Sequence, residues 1–202
     1  MNYFVTAIGT DSGKTLVSAI LCEALNADYW KPIQAGAPKD SDVVKNLVSD
    51  PQVKIHNETY LLNTPASPHA AAKKEGIEIS LNDFVLPSTS RPLIIEGAGG
   101  CLVPINDRDY VIDIAKNTNA EIILVSNLYL GSINHTLLTA YLLKEKGIRV
   151  KGVIFNGPAN EESERIILLH TNYHCLLRIQ QEPEITTAVV KKYAQLLKAN
   201  WK

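Results

Sequence analysis

The sequence has few cysteines, no excess of either charge and no long apolar run, and each shortage removes a class of protein. Its three cysteines, Cys22, Cys101 and Cys175, are odd in number and lack metal-ligand spacing. They argue against a disulfide scaffold and read as reduced thiols of a cytoplasmic protein. Lys+Arg total 20 against 21 Asp+Glu, a net charge of -1, so no bulk attraction to nucleic acid or to an anionic membrane is expected. No apolar stretch reaches the ~18 residues that a membrane span requires. The first residues, Met1-Asn2-Tyr3-Phe4, carry no basic region, and no secretory signal is expected. Internal repeats, low-complexity tracts and linkers are missing too, which makes one domain over residues 1–202 the expectation.

What the chain does contain is enough apolar material for a core. Hydrophobic residues make up 46% and charged residues 20%, the balance of a folded protein. A chain of this length buries roughly 70% of the surface it exposes when unfolded, without a disulfide or metal staple.

Apolar, β-branched runs alternate with helical stretches. Strands are expected at Tyr3–Ile8, Ala27–Lys31, Thr59–Leu62, Pro92–Glu96, Glu121–Ser126, Val150–Phe155 and, weakly, Cys175–Ile179. Helices are expected at Lys14–Asn26, Asp40–Ser49, near Pro68–Glu75, at Asp109–Thr118 and at His135–Lys146, where Gly147 suits a helix-ending glycine. Two more helices flank the last strand. This alternation predicts an α/β fold of three layers, with a mostly parallel central sheet between helices. Continuous apolar strands such as Ile122-Ile123-Leu124-Val125 fit a sheet covered on both faces. Ligands of such sheets bind beyond the carboxyl ends of the strands, so the residues after each strand carry the functional information.

After the first strand comes Gly9-Thr10-Asp11-Ser12-Gly13-Lys14-Thr15, leading into a helix. This is the context of a phosphate loop: glycines let backbone N–H groups converge on phosphate oxygens, and the helix start adds positive charge. Lys14 would bridge the outer phosphates and the Thr15 hydroxyl would ligate Mg²⁺. The usual pattern has a glycine six residues before the lysine; here Ile8 stands there and Gly9 follows.

Other strand ends carry polar groups with two readings each. Lys31, in Lys31-Pro32-Ile33-Gln34-Ala35-Gly36, either snorkels to the surface or faces an anion. Asp40-Ser41-Asp42 either caps a helix or holds a metal near a nucleotide. Glu96-Gly97-Ala98-Gly99-Gly100 suits a metal–phosphate site with close backbone approach, or a plain glycine turn. Leu130-Gly131-Ser132-Ile133-Asn134-His135 opens a helix that could bind a carboxylate or simply be capped. Asn156 suits a nucleobase edge or an ordinary Asn-Gly turn.

Together these segments resemble the dethiobiotin synthetase family. The residues that carry the resemblance are Tyr3-Phe4-Val5-Thr6, Gly9-Thr10-Asp11 with Gly13-Lys14-Thr15, Lys31-Pro32, Ser41-Asp42, Ser67-Pro68-His69, Glu96-Gly97-Ala98-Gly99-Gly100, Leu130-Gly131 with Ile133-Asn134-His135, and Gly152 with Asn156. The resemblance implies a P-loop NTPase-like fold, a homodimer, and the use of ATP, Mg²⁺, CO2 and 7,8-diaminononanoate to make a cyclic urea in biotin synthesis. It places Lys14 and Lys31 beside the carbamate and the transferred phosphoryl group. Asp11, Ser12, Gly13, Lys14, Thr15 and Leu16 would wrap the triphosphate, and Gly97, Ala98 and Gly99 would lie beside it. Thr15, Asp42 and Glu96 would hold Mg²⁺, and Asn156 would meet the adenine. Gly131, Ser132, Ile133 and Asn134 would bind the substrate carboxylate of the neighbouring subunit's site, with Lys31 at its reacting end.

The chain departs from that family at Ala7 and Ser12, at Gln34-Ala35 where many members have a small hydroxyl residue, and at Arg178-Ile179-Gln180-Gln181 on the adenine side. Rival readings are weaker. Partitioning and metal-insertion ATPases of the same fold carry a lysine five residues before the P-loop lysine, where this chain has Gly9. A glutamine-dependent amidase needs a glutaminase domain for which 202 residues leave no room. A nucleotide-binding module without catalysis would not need to retain Lys14, Thr15, Lys31, Asp42 and Glu96 together.

Overall fold

A computed structural model describes residues 1–201. The chain runs β1 (Asn2–Ala7), α1 (Lys14–Leu25), β2 (Asp28–Trp30), β3 (Ile33–Ala35), α2 (Asp40–Leu47), β4 (Ile55–His56), β5 (Tyr60–Leu62) and α3 (Pro68–Glu75). It continues through β6 (Leu93–Gly100), α4 (Val111–Asn117), β7 (Glu121–Asn127), α5 (Ser132–Glu145), β8 (Val150–Asn156), α6 (Glu161–Thr171), β9 (Cys175–Ile179) and α7 (Thr187–Asn200). Seven strands form one sheet in the order β4-β2-β6-β1-β7-β8-β9, and β3 pairs with β5 in a small second sheet. All recorded strand pairs of both sheets are parallel.

The pleat divides each apolar strand between two cores. Tyr3, Val5 and Ala7 face one side with Ile123, Val125 and Ile154, where α1, α2 and α7 cover them. Phe4, Ile95, Ile122 and Leu124 face the other side with Ile112 and Ala115 of α4 and Leu143 of α5. Val153 and Phe155 meet Ile167 of α6 on that same side. Burial on both faces is why these strands read as unbroken apolar runs. Among the described residues, no helix is long and apolar enough to cross a membrane. The three cysteines are free.

Two boundary shifts and two unexpected strands bear on the site, beyond shifts of one or two residues at other element ends. β6 does not end at Glu96 but continues through the glycines to Gly100, which pairs with Ala7 after a register shift. Gly97 permits this: a Cβ there would lie 2.8 Å from the Phe4 ring. α5 begins three residues before His135, with Gly131 preceding it in the left-handed region at φ 107°. The strands β3 and β4 were not expected, because two or three residues carry too little alternation to read.

Candidate active site

The loop between β1 and α1 is held by its own side chains. The Ser12 hydroxyl donates to the Gly9 carbonyl at 3.2 Å. Asn156, at the end of β8, donates its Nδ2 to the Ser12 carbonyl at 2.9 Å. Gly13 has φ 91°, and a Cβ on it would sit 2.3 Å from that Nδ2, so both conformation and space demand glycine. The first turn of α1 holds no acidic residue, which leaves its positive end open to an anion. Lys14 is buried and donates to the Gly9 carbonyl at 3.1 Å. Burial holds its ammonium below the ordinary lysine pKa, against the upward pull of the Glu96 carboxylate.

Beside the loop, strands that are distant in sequence bring together a compact ionic cluster. Glu96 is 1% exposed and accepts from three donors: Thr15 at 3.1 Å, Lys31 at 3.0 Å and the Tyr29 phenol at 3.0 Å. Thr15 also donates to Asp40 Oδ1 at 3.0 Å, and Lys31 pairs with Asp40 Oδ2. Burial by itself would lower the Lys31 pKa, but the Glu96 and Asp40 carboxylates outweigh it and hold it above the ordinary value. One buried carboxylate, Glu96, and one half-buried, Asp40, share a single lysine ammonium, and this excess of negative charge suits a cation. The donors are a hydroxyl and two carboxylates, all hard oxygens. No group of three or more His, Cys, Asp or Glu residues among the described residues is arranged to enclose a metal. That set fits Mg²⁺, which keeps waters and phosphate oxygens in its shell.

The cluster floors a cleft of about 670 Å³. Its lining includes the polar residues Lys14, Thr15, Lys31, Asp40 and Glu96 and the apolar residues Ile33, Ala35, Pro68, Ala98 and Val103. A pocket of this mixed lining can take both a polyphosphate and an aliphatic chain.

The structure distributes the expected site residues unevenly. Asp11, Gly13, Lys14, Thr15, Lys31, Glu96, Ala98 and Gly99 border the cleft. Asp42 does not: it is exposed and lines a separate pocket with Lys45, His56 and Glu58. Asp40 takes the position expected for Asp42, because two residues along a helix rotate a side chain by about 200°. Asp40 does not act as a cap either; it is the first residue of α2, and its N–H donates to Gln34 Oε1 at 3.1 Å. Leu16 packs onto the core beneath α1, and Gly97 faces Phe4 and Val111. Gly131, Ser132, Ile133 and Asn134 lie outside the cleft. There the Ser132 side chain is buried and Ile133 packs beside Val153, Phe155 and Ile167. Tyr29 is not among the expected site residues, and Gln34 figures there only as a departure from the family. The signal for Tyr29 was present, since it precedes Lys31 by two residues within the expected strand Ala27–Lys31 and alternation puts the two on one face.

Fold and cleft together define a P-loop nucleotide-dependent α/β enzyme. Solved structures with this architecture include the septum site-determining protein MinD with Mg-ADP from Pyrococcus horikoshii, with a TM-score of 0.60 and 17% identity over 99% of this chain and 95% of that one. A ParA family ATPase from Chlorobium tepidum matches with a TM-score of 0.57 and 15% identity over 98% and 92%. At such identities the likeness is one of fold. A family profile described as an AAA domain matches residues 1–189. The ATP-dependent dethiobiotin synthetase of Cytophaga hutchinsonii is 60% identical over 98% of both chains. That of Christiangramia forsetii is 46% identical over 96% of this chain and 94% of its own. The chain belongs to the ATP-dependent dethiobiotin synthetase family.

Proposed function

We propose that this protein closes the ureido ring of dethiobiotin from 7,8-diaminononanoate, CO2 and ATP, in the biotin pathway of the cytoplasm. The supporting observation is the lining of the cleft, which combines the charged cluster of Lys14, Thr15, Lys31, Asp40 and Glu96 with apolar side chains that suit the diamine's aliphatic chain.

One amine of the substrate adds to CO2 and loses a proton, forming a carbamate. A carbamate oxygen attacks the γ-phosphate of ATP, releasing ADP and giving a carbamic–phosphoric anhydride. The second amine attacks the anhydride carbonyl and expels phosphate, closing the five-membered cyclic urea. Lys31 lines the cleft beside Glu96 and Asp40, where its ammonium would neutralise the carbamate and orient it toward the γ-phosphate. Lys14 and the amides at the start of α1 would hold the phosphates as charge moves from carbamate to ADP. Thr15, Asp40 and Glu96 would hold Mg²⁺, which when bound supplies charge neutralisation on the phosphates. Asn156 would meet the base side, with its amide already fixed to the loop by Ser12.

The substrate's carboxylate lies at the far end of its chain, and Gly131–Asn134 of a second copy would receive it in a homodimer. The apolar side chains left exposed just before α5, Tyr129 and Leu130, and along it, Leu138 and Tyr141, support a covering subunit there.

The test is ATP turnover with each co-substrate withheld. ADP release is expected only with both the diamine and bicarbonate present, with dethiobiotin as product. ATP hydrolysis indifferent to both would overturn the reading.

A further inference from the structure

Lys31 has a structured neighbour on each side in sequence, and neither touches the phosphate loop. Tyr29 is fully buried, its ring within the core formed with Val5, Cys22 and Ile94. Its phenol donates to Glu96 Oε2 at 3.0 Å, while Thr15 and Lys31 both engage Oε1. The carboxylate is thereby divided: one oxygen is anchored inward, and the other is turned toward the cation cluster. Burial, followed by the neighbouring Glu96 charge, pushes the Tyr29 pKa well up, which keeps the phenol protonated as a donor.

Gln34 is 4% exposed. Its Nε2 donates to the Gly36 carbonyl at 3.0 Å and the Pro38 carbonyl at 3.3 Å. Its Oε1 accepts from the backbone N–H of Asp40 at 3.1 Å. One side chain therefore ties both ends of the turn that leads into α2 and sets where the first residue of that helix stands. Although Gln34 borders the cleft, both of its amide hydrogens are engaged within the turn. A buried amide so satisfied is a brace, and leaving its partners unpaired would be costly.

We infer that Tyr29 and Gln34 are positioning residues for the two carboxylates of the cation site, Tyr29 acting through Glu96 and Gln34 through Asp40. The short stretch from Tyr29 to Gln34 thus supplies Lys31 and also the outer contacts of both acidic partners. This rests on the reading of Asp40 and Glu96 as the metal-holding pair. Outer contacts of this kind are worth about 10–100-fold in metal affinity elsewhere.

The experiment titrates Mn²⁺ as the probe ion, read by the loss of its free electron-spin-resonance signal, into protein loaded with a non-hydrolysable ATP analogue. Tyr29→Phe removes one buried oxygen, and Gln34→Met removes the amide while keeping its length. Each is expected to weaken Mn²⁺ binding about 10-fold and to raise the Mg²⁺ needed for half-maximal turnover by a similar factor, with kcat at saturating Mg²⁺ reduced less than about 3-fold. Thermal unfolding of the same proteins separates structure from positioning: a lowered Tm with unchanged Mn²⁺ affinity overturns the inference. If Gln34→Met fails to fold, Gln34→Asn, whose shorter amide cannot reach Asp40, takes its place under the same criterion. Glu96→Gln is the internal control. Mn²⁺ binding unaffected by Glu96→Gln would discard the metal site itself, whereas binding weakened there but not by Tyr29→Phe or Gln34→Met would discard only the positioning roles.

Discussion

Two helices begin at the carboxyl edge of the central sheet with a left-handed glycine, Gly13 before α1 and Gly131 before α5, and their surroundings are opposite in kind. The first start opens onto Lys14, Thr15, Lys31, Asp40 and Glu96, drawn from four segments of one chain. The second start has a buried Ser132, an inward-packed Ile133 and exposed apolar neighbours in Tyr129 and Leu130. A helix terminus alone does not make a reaction site. Charges must be gathered around it by other strands, and where they are not, the terminus can bind an anion only with help from elsewhere.

The largest effect should come from removing the lysine of the first start. Lys14→Ala is expected to lower turnover by at least ~10²–10³-fold, measured as steady-state dethiobiotin formation. Turnover near that of the unaltered protein would take catalysis away from this loop and erase the contrast between the two helix starts.

A sharper cut separates the two aspartates at the start of α2. Glu96→Gln and Asp40→Asn are expected to raise the Mg²⁺ needed for half-maximal turnover about 10-fold or more. Asp42→Asn, on the far side of the helix, should stay within about 2-fold, as surface substitutions do. A Mg²⁺ titration that moves more for Asp42 than for Asp40 would restore the expectation drawn from the motif.

The second helix start is probed by mixing two damaged proteins. Lys14→Ala and Asn134→Glu are each expected to be nearly inactive. Equal amounts allowed to exchange subunits should regain about a quarter of full activity, because half of randomly paired dimers carry one intact site. No recovery despite demonstrated exchange would confine the whole site to one chain.

The smallest effect on turnover is expected at Asp28, which opens the strand leading to Lys31 but whose partners all lie outside the cluster. It is buried and accepts from Thr89 Oγ1 at 2.6 Å and the Lys54 N–H at 2.9 Å. Burial alone would raise its pKa; these hydrogen bonds and the nearby His56 outweigh that and hold it below the ordinary value. The contribution to stability is complete above the ordinary carboxylate range and disappears as pH falls through the depressed value. Asp28→Asn is expected to cost about 1–3 kcal/mol at neutral pH. Denaturant unfolding would register this, and the difference should shrink below about pH 4. A difference that persists undiminished in acid would assign Asp28 a role other than its charge.

The amino-acid sequence by itself determined the alternation of strands and helices, the phosphate loop at the end of the first strand, and Lys31 just past the end of the second. Each of these is local: periodicity, turn chemistry and residue type act over a few neighbouring positions. What tertiary structure decided is everything that depends on which distant groups meet. It put Asp40, and not Asp42, beside Lys31 and Thr15, which turns on how α2 is rotated against them. It gave Tyr29 a partner 67 positions away in Glu96, and it turned Gln34 inward on the turn before α2. It also carried β6 on through its glycines, because Gly97 leaves the space that the Phe4 ring fills. Contacts of that range have no period and no spacing to read, so only the packed sheet could choose among them.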